Sequence, residues 1–171
     1  YPKIKFVVIS DGRKYLETLG NGKLEDLYSV LYDTTTANSM LEINYESKEI
    51  KLKGLISNLS IKKSSNANVN VFVNNRVIKN KFFHYAIDRA YDSLLVKGEF
   101  PICTLNVEID PLLIDLNVHP SKNEIKIRDE RNLFSLIEKQ IRLSLINSKS
   151  NNNNSEISIL NYDSDSMIES G

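Results

Sequence analysis

Cysteine, histidine and tryptophan are scarce in this chain of 171 residues, which has one cysteine, two histidines and no tryptophan. A lone Cys103 forms no internal disulfide, and with only His84 and His119 beside it there is no zinc-type ligand spacing, so disulfide scaffolds and zinc fingers are excluded. Apolar runs are only a few residues long, too short for a membrane-spanning helix. The opening Tyr1-Pro2-Lys3-Ile4-Lys5 also lacks a signal-peptide pattern. These absences point to an intracellular protein with no membrane partner. What is present is ordinary for a globular domain: 41% apolar and 26% charged residues, enough for one domain or one and a fragment.

The net charge is zero, but its distribution is uneven. From Lys51 to Arg89 the chain carries Lys51, Lys53, Lys62, Lys63, Arg76, Lys79, Lys81 and Arg89 against one acid, Asp88, so this stretch is +7 and the remainder −7. A local positive field of this kind suits a polyanion partner; a merely solvated basic surface is the other reading.

Hydrophobic periodicity divides the chain into four parts. In residues 1–22, Ile4, Phe6 and Val8, then the turn Ser10-Asp11-Gly12-Arg13, then Lys14 to Leu19, predict a hairpin. A hairpin alone is marginally stable, so it is expected to complete the sheet of a domain lying mostly upstream. In residues 23–38, Leu24, Leu27, Tyr28 and Leu31 form the stripe of a connecting helix, which Asp33-Thr34-Thr35-Thr36-Ala37-Asn38 breaks at a domain boundary. Residues 39–146 read as β-β-β-α-β-β-β-α. The strands are Met40 to Tyr45, Ile50 onward, Val69 to Val73, Leu105 to Ile109, Ile114 to Val118 and Ile125 to Ile127. Asn74-Asn75 is a tight turn. Asn80 caps a helix whose apolar face is Phe83, Ala86, Ile87, Ala90 and Leu94, closing near Lys97-Gly98. Asp129 caps another, with Leu133, Leu136, Ile137, Ile141 and Leu145 facing the sheet. Residues 147–171 are rich in Asn and Ser and carry −3, the composition of a disordered linker, so the protein is expected to continue beyond it.

Two segments are more specific than periodicity explains: Phe72-Val73-Asn74-Asn75-Arg76 before a helix, and Asp115-Leu116-Asn117-Val118-His119-Pro120-Ser121-Lys122-Asn123-Glu124-Ile125 further on. Together they resemble the MutL family of DNA mismatch repair proteins, in which the first motif runs FVNGR and the second DVNVHPxKxEV. The resemblance extends from Tyr1 to about Ile146, because the opening YPKIKFVVISDGRK looks like the segment that ends the family's ATPase domain. One departure is Asn75 in place of the usual Gly, and Asn also tolerates the left-handed backbone of such a turn. Another is the very polar loop Asn58 to Asn66.

The resemblance implies an α/β (α+β) fold, a ribosomal-protein-like second domain with a left-handed βαβ crossover and a mixed sheet covered by helices. It implies a composite ATPase whose ATP and Mg2+ are held mainly by the upstream domain, so this stretch alone is not expected to hydrolyse ATP. It also implies homodimers or heterodimers of the intact protein, DNA as a sequence-tolerant double- or single-stranded partner, a mismatch-recognition protein, and a repair nuclease or helicase. The expected compartment is the cytoplasm of a bacterium, or the nucleus if the source is eukaryotic. Two rivals remain: a topoisomerase-type ATPase transducer domain and a stand-alone nucleic-acid-binding module.

Lys122 is the sharpest candidate. It follows His119-Pro120, where proline fixes its own backbone and biases the preceding residue to extended geometry, and a lysine ammonium suits a terminal phosphate. By resemblance it reaches the γ-phosphate of ATP and acts in catalysis, while Asn117, His119 and Pro120, with Glu124, shape its loop. Arg76, Lys79 and Lys81 lie in the +7 stretch, where they suit DNA phosphates; Lys62 and Lys63 in the polar loop are further candidates. A turn arginine paired with a carboxylate is the competing reading of Arg76. His84 and Cys103 are assigned to packing or surface, and no metal site is expected.

Overall fold

The computed structural model describes residues 1–115 and 126–165. The chain opens with an antiparallel hairpin, β1 (Val7–Ser10) and β2 (Arg13–Glu17). Its turn holds Asp11 at φ 51° and Gly12 at φ 74°, a left-handed conformation that Asp tolerates and glycine adopts freely. No third strand pairs with this hairpin among the described residues, and Ile9 and Tyr15 are 65% and 83% exposed.

Two helices follow, α1 (Leu24–Leu31) and α2 (Thr34–Asn38). The buried stripe of α1 follows the predicted one at Leu24 and Tyr28 and departs from it only at its end. Tyr28 is buried, Leu24 and Tyr32 pack with it, and Leu31 is exposed, because the surface beneath offers hydroxyl and amide partners to the two phenols. The segment read as a break is the helix α2: Asp33 caps it by accepting from the Thr36 N–H at 2.6 Å, and Thr36 and Ala37 are buried.

The central sheet contains β3 (Met40–Glu46), β4 (Ile50–Ser57), β5 (Val69–Val73), β6 (Arg76–Val77) and β7 (Cys103–Ile109), in the order β3-β4-β7-β5-β6. All pairs are antiparallel except β5–β7, whose register runs from Val69↔Cys103 to Val73↔Val107. The connection from β5 to β7 passes through β6 and α3 (Lys81–Tyr91), so the parallel pair and its helix form a βαβ unit within a mixed α+β fold. A separate two-stranded pair, β8 (Ile114–Asp115) and β9 (Lys126–Ile127), leads into α4 (Glu130–Asp165).

Strand alternation sorts the residues between two faces. Ile43, Leu52, Ile56, Val71, Leu105 and Val107 point to one side, where they meet Phe83, Ala86, Ile87 and Ala90 of α3 and Leu133, Ile137, Ile141 and Leu145 of α4. Each such leucine, isoleucine or phenylalanine removed from water stabilises by about 1.5–3 kcal/mol. On the other face Leu55 and Ile102 lie under Tyr28 and Ala37, so α1 and α2 cover one end of the sheet. Elsewhere on that face Asn44, Lys53, Asn106, the half-buried Phe72 and the exposed Val77 share one register row. Gly54 belongs to the core parity, and a Cβ there would lie 2.0 Å from the Thr104 carbonyl oxygen.

The helix boundaries also differ from the periodic reading. α3 ends at Tyr91, and Ser93 at φ 67° turns the chain, so Leu94 is exposed and Leu95 packs against the core in its place. α4 continues to Asp165 through the segment whose composition predicts a disordered linker. Once the packed stretch from Leu133 to Leu145 fixes the helix, extension needs only one further hydrogen bond per residue.

Candidate nucleic-acid interface

The motif Phe72-Val73-Asn74-Asn75-Arg76 is a two-residue hairpin turn between β5 and β6. Asn74 and Asn75 both have positive φ, 48° and 65°, the geometry that matches the twist of paired strands and that Asn and Gly adopt most readily. Asn74 has a second task. Its Nδ2 donates to the Ile109 carbonyl at 3.0 Å, its Oδ1 accepts from the Ile109 N–H at 2.9 Å, and its own N–H donates to the Val107 carbonyl at 2.9 Å. The turn is therefore locked to the end of β7, and the Asn106 amide adds a bond to Asn75 Oδ1 at 3.3 Å.

Beyond this anchor the chain alternates held and displayed residues. Arg76 pairs with Val73 on the edge strand and is exposed. Ile78 is buried and its N–H donates to the Val71 carbonyl at 3.0 Å. Lys79 is exposed, Asn80 accepts from the Phe82 N–H at 2.9 Å as the cap of α3, and Lys81 is exposed at the first helical position. Arg76, Lys79 and Lys81 thus project from a rigid strand-turn-helix junction. Among the described residues no carboxylate lies within ion-pair distance of any of the three, and α3 has no acid in its first turn. The positive end of that helix adds to the same field.

Of the other five cations of the stretch, three are paired with acids, and the exposed Lys53 has no ion pair among the described residues. Lys51 lies 2.6 Å from Glu46, Lys62 lies 2.8 Å from Glu99, and Arg89 lies 3.0 Å from Asp92, three acids from outside the basic stretch. The bond from Lys62 holds the Glu99 carboxyl below its ordinary value. Lys63 stands 5.9 Å from the Tyr32 ring centroid, and its backbone pairs with Phe100. Phe100 precedes the start of β7, where Cys103 pairs with the first residue of β5, whereas Arg76 pairs with the last. Lys62 and Lys63 therefore sit at the opposite end of β5 from Arg76, Lys79 and Lys81, and the structure does not bring the five together.

Lys122, with Asn117, His119, Pro120 and Glu124, lies outside the described residues, in the stretch connecting β8 to β9. Cys103 is fully buried, and burial pushes its thiol well up, so it offers no thiolate. His84 is half-buried on α3. Among the described residues no group of three or more His, Cys, Asp or Glu side chains could hold a metal ion, and no helix is long and apolar enough to cross a membrane.

Residues 28–146 match the family model described as "DNA mismatch repair protein, C-terminal domain". The chain belongs to the MutL family of DNA mismatch repair proteins. DNA mismatch repair protein MutL of Staphylococcus saprophyticus is 35% identical over 142 residues, covering 83% of this chain and 22% of that protein. MutL of Streptococcus sanguinis is 37% identical over 145 residues, 85% of this chain and again 22% of that protein. The chain thus spans about a fifth of these MutL relatives. Among solved structures, the N-terminal domain of a DNA repair protein superposes with a TM-score of 0.69 at 22% identity, over 85% of this chain and 49% of that one. A point variant of the Aquifex aeolicus MutL ATPase domain gives a TM-score of 0.51 at 19% identity, over 82% of this chain and 45% of that one. These likenesses show the MutL-type mixed fold.

Sequence reasoning missed two residues of this region. Asn74 passed as a turn residue, although its amide is what fastens the turn to β7. Tyr85, 61% exposed, went unremarked because an aromatic on the charged side of a helix belongs to no apolar stripe; its signal is the four-residue spacing Lys81, Tyr85, Arg89.

Proposed function

We propose that this chain is the transducing part of a MutL-type mismatch repair ATPase, holding DNA at the β5–β6 turn and the start of α3. The observation that supports DNA contact is the group Arg76, Lys79 and Lys81: three exposed cations at one rigid junction, with no acid in ion-pair reach among the described residues. Cations already satisfied by carboxylates add little to a phosphate interface, and among the described residues these three are not so satisfied. Cations that meet phosphates carry no sequence information, so binding is sequence-tolerant and salt-sensitive.

In this reading residues 1–22 complete the ATPase domain, residues 23–38 connect it, and residues 39–146 form the transducer domain. ATP with Mg2+ is held mainly by the upstream domain and supplies a terminal phosphate whose loss on hydrolysis signals nucleotide state. Lys122 contacts that phosphate from a loop shaped by Asn117, His119 and Pro120. The coupled change in domain contact passes to a mismatch-recognition protein and to a repair nuclease or helicase, within a dimer of the intact protein.

Two measurements on the natural protein test the two halves of this reading. Arg76→Glu weakens binding to unrelated duplexes alike at low salt; unchanged affinity removes Arg76 from the surface. Lys122→Ala, with nucleotide binding checked in parallel, lowers single-turnover ATP hydrolysis, and an equal rate reduces Lys122 to a surface lysine.

A further inference from the structure

The outer ridge of α3 reads Lys81, Tyr85, Arg89, three side chains one turn apart on one face. Tyr85 is 61% exposed, although a phenol ring in a merely solvated position has no need of aromatic support. It has that support: its ring centroid lies 5.5 Å from that of Phe134 on α4, at an interplanar angle of 43°. Phe134 is in turn held at 6.0 Å by Phe82 in an edge-to-face contact, and Phe82 by the fully buried Phe83 at 5.1 Å. The exposed ring is thus the outer end of an aromatic chain rooted in the core.

Several acids nearby are already engaged. Asp92 pairs with Arg89, Glu138 lies 3.3 Å from Arg142, and Asp129 accepts from the Asn132 N–H as a helix cap. Asp88 and Glu130 remain, against Lys81 on the ridge, Arg131 one turn before Phe134, and Arg76 and Lys79 at the adjoining junction. A pre-positioned aromatic plane bordered by cations complements a chain of phosphates that carries accessible base faces.

We propose that Tyr85, backed by Phe134, is a base-stacking platform that continues the Arg76, Lys79 and Lys81 surface and selects single-stranded DNA. This deepens the DNA-contacting reading above and rests on it. Bases in a duplex are already stacked and paired, whereas every unpaired base presents a π-face to an aromatic ring. The platform is therefore strand-selective but indifferent to sequence.

The test is a fluorescence-anisotropy titration of the natural protein with labelled oligo-dT and with a duplex of equal length, comparing wild type, Tyr85→Ala, Tyr85→Phe and Arg76→Glu. The expected result is about a tenfold loss of oligo-dT affinity in Tyr85→Ala, retention in Tyr85→Phe, and unchanged duplex affinity in both. Circular dichroism melting confirms that the variants are folded. Equal oligo-dT affinity in wild type and Tyr85→Ala overturns the platform, as does a parallel loss for duplex. Loss in Arg76→Glu without loss in Tyr85→Ala leaves the basic surface standing and the platform refuted; the converse keeps the platform and refutes the basic surface. If Tyr85→Ala spares DNA but abolishes association with another repair protein, the ridge is a protein-docking surface and the proposal fails.

Discussion

The Tyr28 and Thr104 hydroxyls lie 2.5 Å apart, joining the connecting helix α1 to the central strand β7. Burial pushes the Tyr28 phenol well up, so the group stays protonated and hydrogen-bonded throughout the range in which the protein works. Tyr32 adds a second tie one turn later by donating to Asn68 Oδ1 at 3.1 Å, and the two rings stack at 5.3 Å. The helix between hairpin and sheet therefore moves with the sheet. Tyr28→Phe removes one bond and leaves Thr104 without that partner, and is expected to cost about 1–2 kcal/mol in urea unfolding with an unchanged m-value. An undiminished midpoint would show that apolar contact alone docks α1.

Gly54 offers a sharper test of backbone packing. A Cβ at this position would sit 2.0 Å from the Thr104 carbonyl oxygen and 3.0 Å from Leu105 Cα, both backbone atoms of the neighbouring strand. Neither can step aside without separating β4 from β7, so Gly54→Ala is expected to destabilise by about 3 kcal/mol or more. A soluble variant with wild-type melting would mean that the strands are free to shift apart.

Much of this fold was legible because alternation is a local signal: Ile50, Leu52 and Ile56, or Val69, Val71 and Val73, declare both strand and buried face without reference to partners. The helix α2 was not, because threonines resemble a breaker until Asp33 is seen to cap them. The end of the α1 stripe was misread, Leu31 for Tyr32, because leucine outranks tyrosine in a hydrophobic count, while the surface beneath supplies Asn68 as a partner to the Tyr32 hydroxyl. At the candidate site, Arg76 was marked by its motif. Its separation from Lys62 was not, since that depends on the parallel pairing of β5 with a strand that begins at Cys103. Acids outside the basic stretch, Glu46 and Glu99 among them, likewise decide which of its cations are engaged.

The hairpin carries a pH-dependent contact. Lys14 and Lys5 both hydrogen-bond the Glu17 carboxylate, Lys14 with the larger effect and Lys5 at 2.6 Å, and hold its pKa at about 2 instead of 4.5. A carboxyl with a lowered folded-state pKa contributes stability that is present above 4.5 and is lost as pH falls toward about 2. Lys14→Met should raise the Glu17 midpoint in an NMR titration toward the ordinary carboxylate range, and added salt should move wild type the same way. A midpoint indifferent to both would show that the lysines are not its cause.

The division of the basic stretch into engaged and unengaged cations predicts how DNA affinity depends on salt. Neutralising one phosphate-binding cation flattens the plot of log K against log salt by about one unit, because fewer counterions are released on binding. Lys79→Gln and Arg76→Gln should each flatten it in this way and weaken binding to unrelated duplexes alike. Lys62 already faces Glu99 at 2.8 Å and stands at the far end of β5, so Lys62→Gln should leave the slope unchanged. Its cost to stability should stay within about 1 kcal/mol, as expected for an exposed ion pair. If Lys62→Gln flattens the slope as much as Arg76→Gln, the pair with Glu99 opens when DNA binds and the interface runs the length of β5.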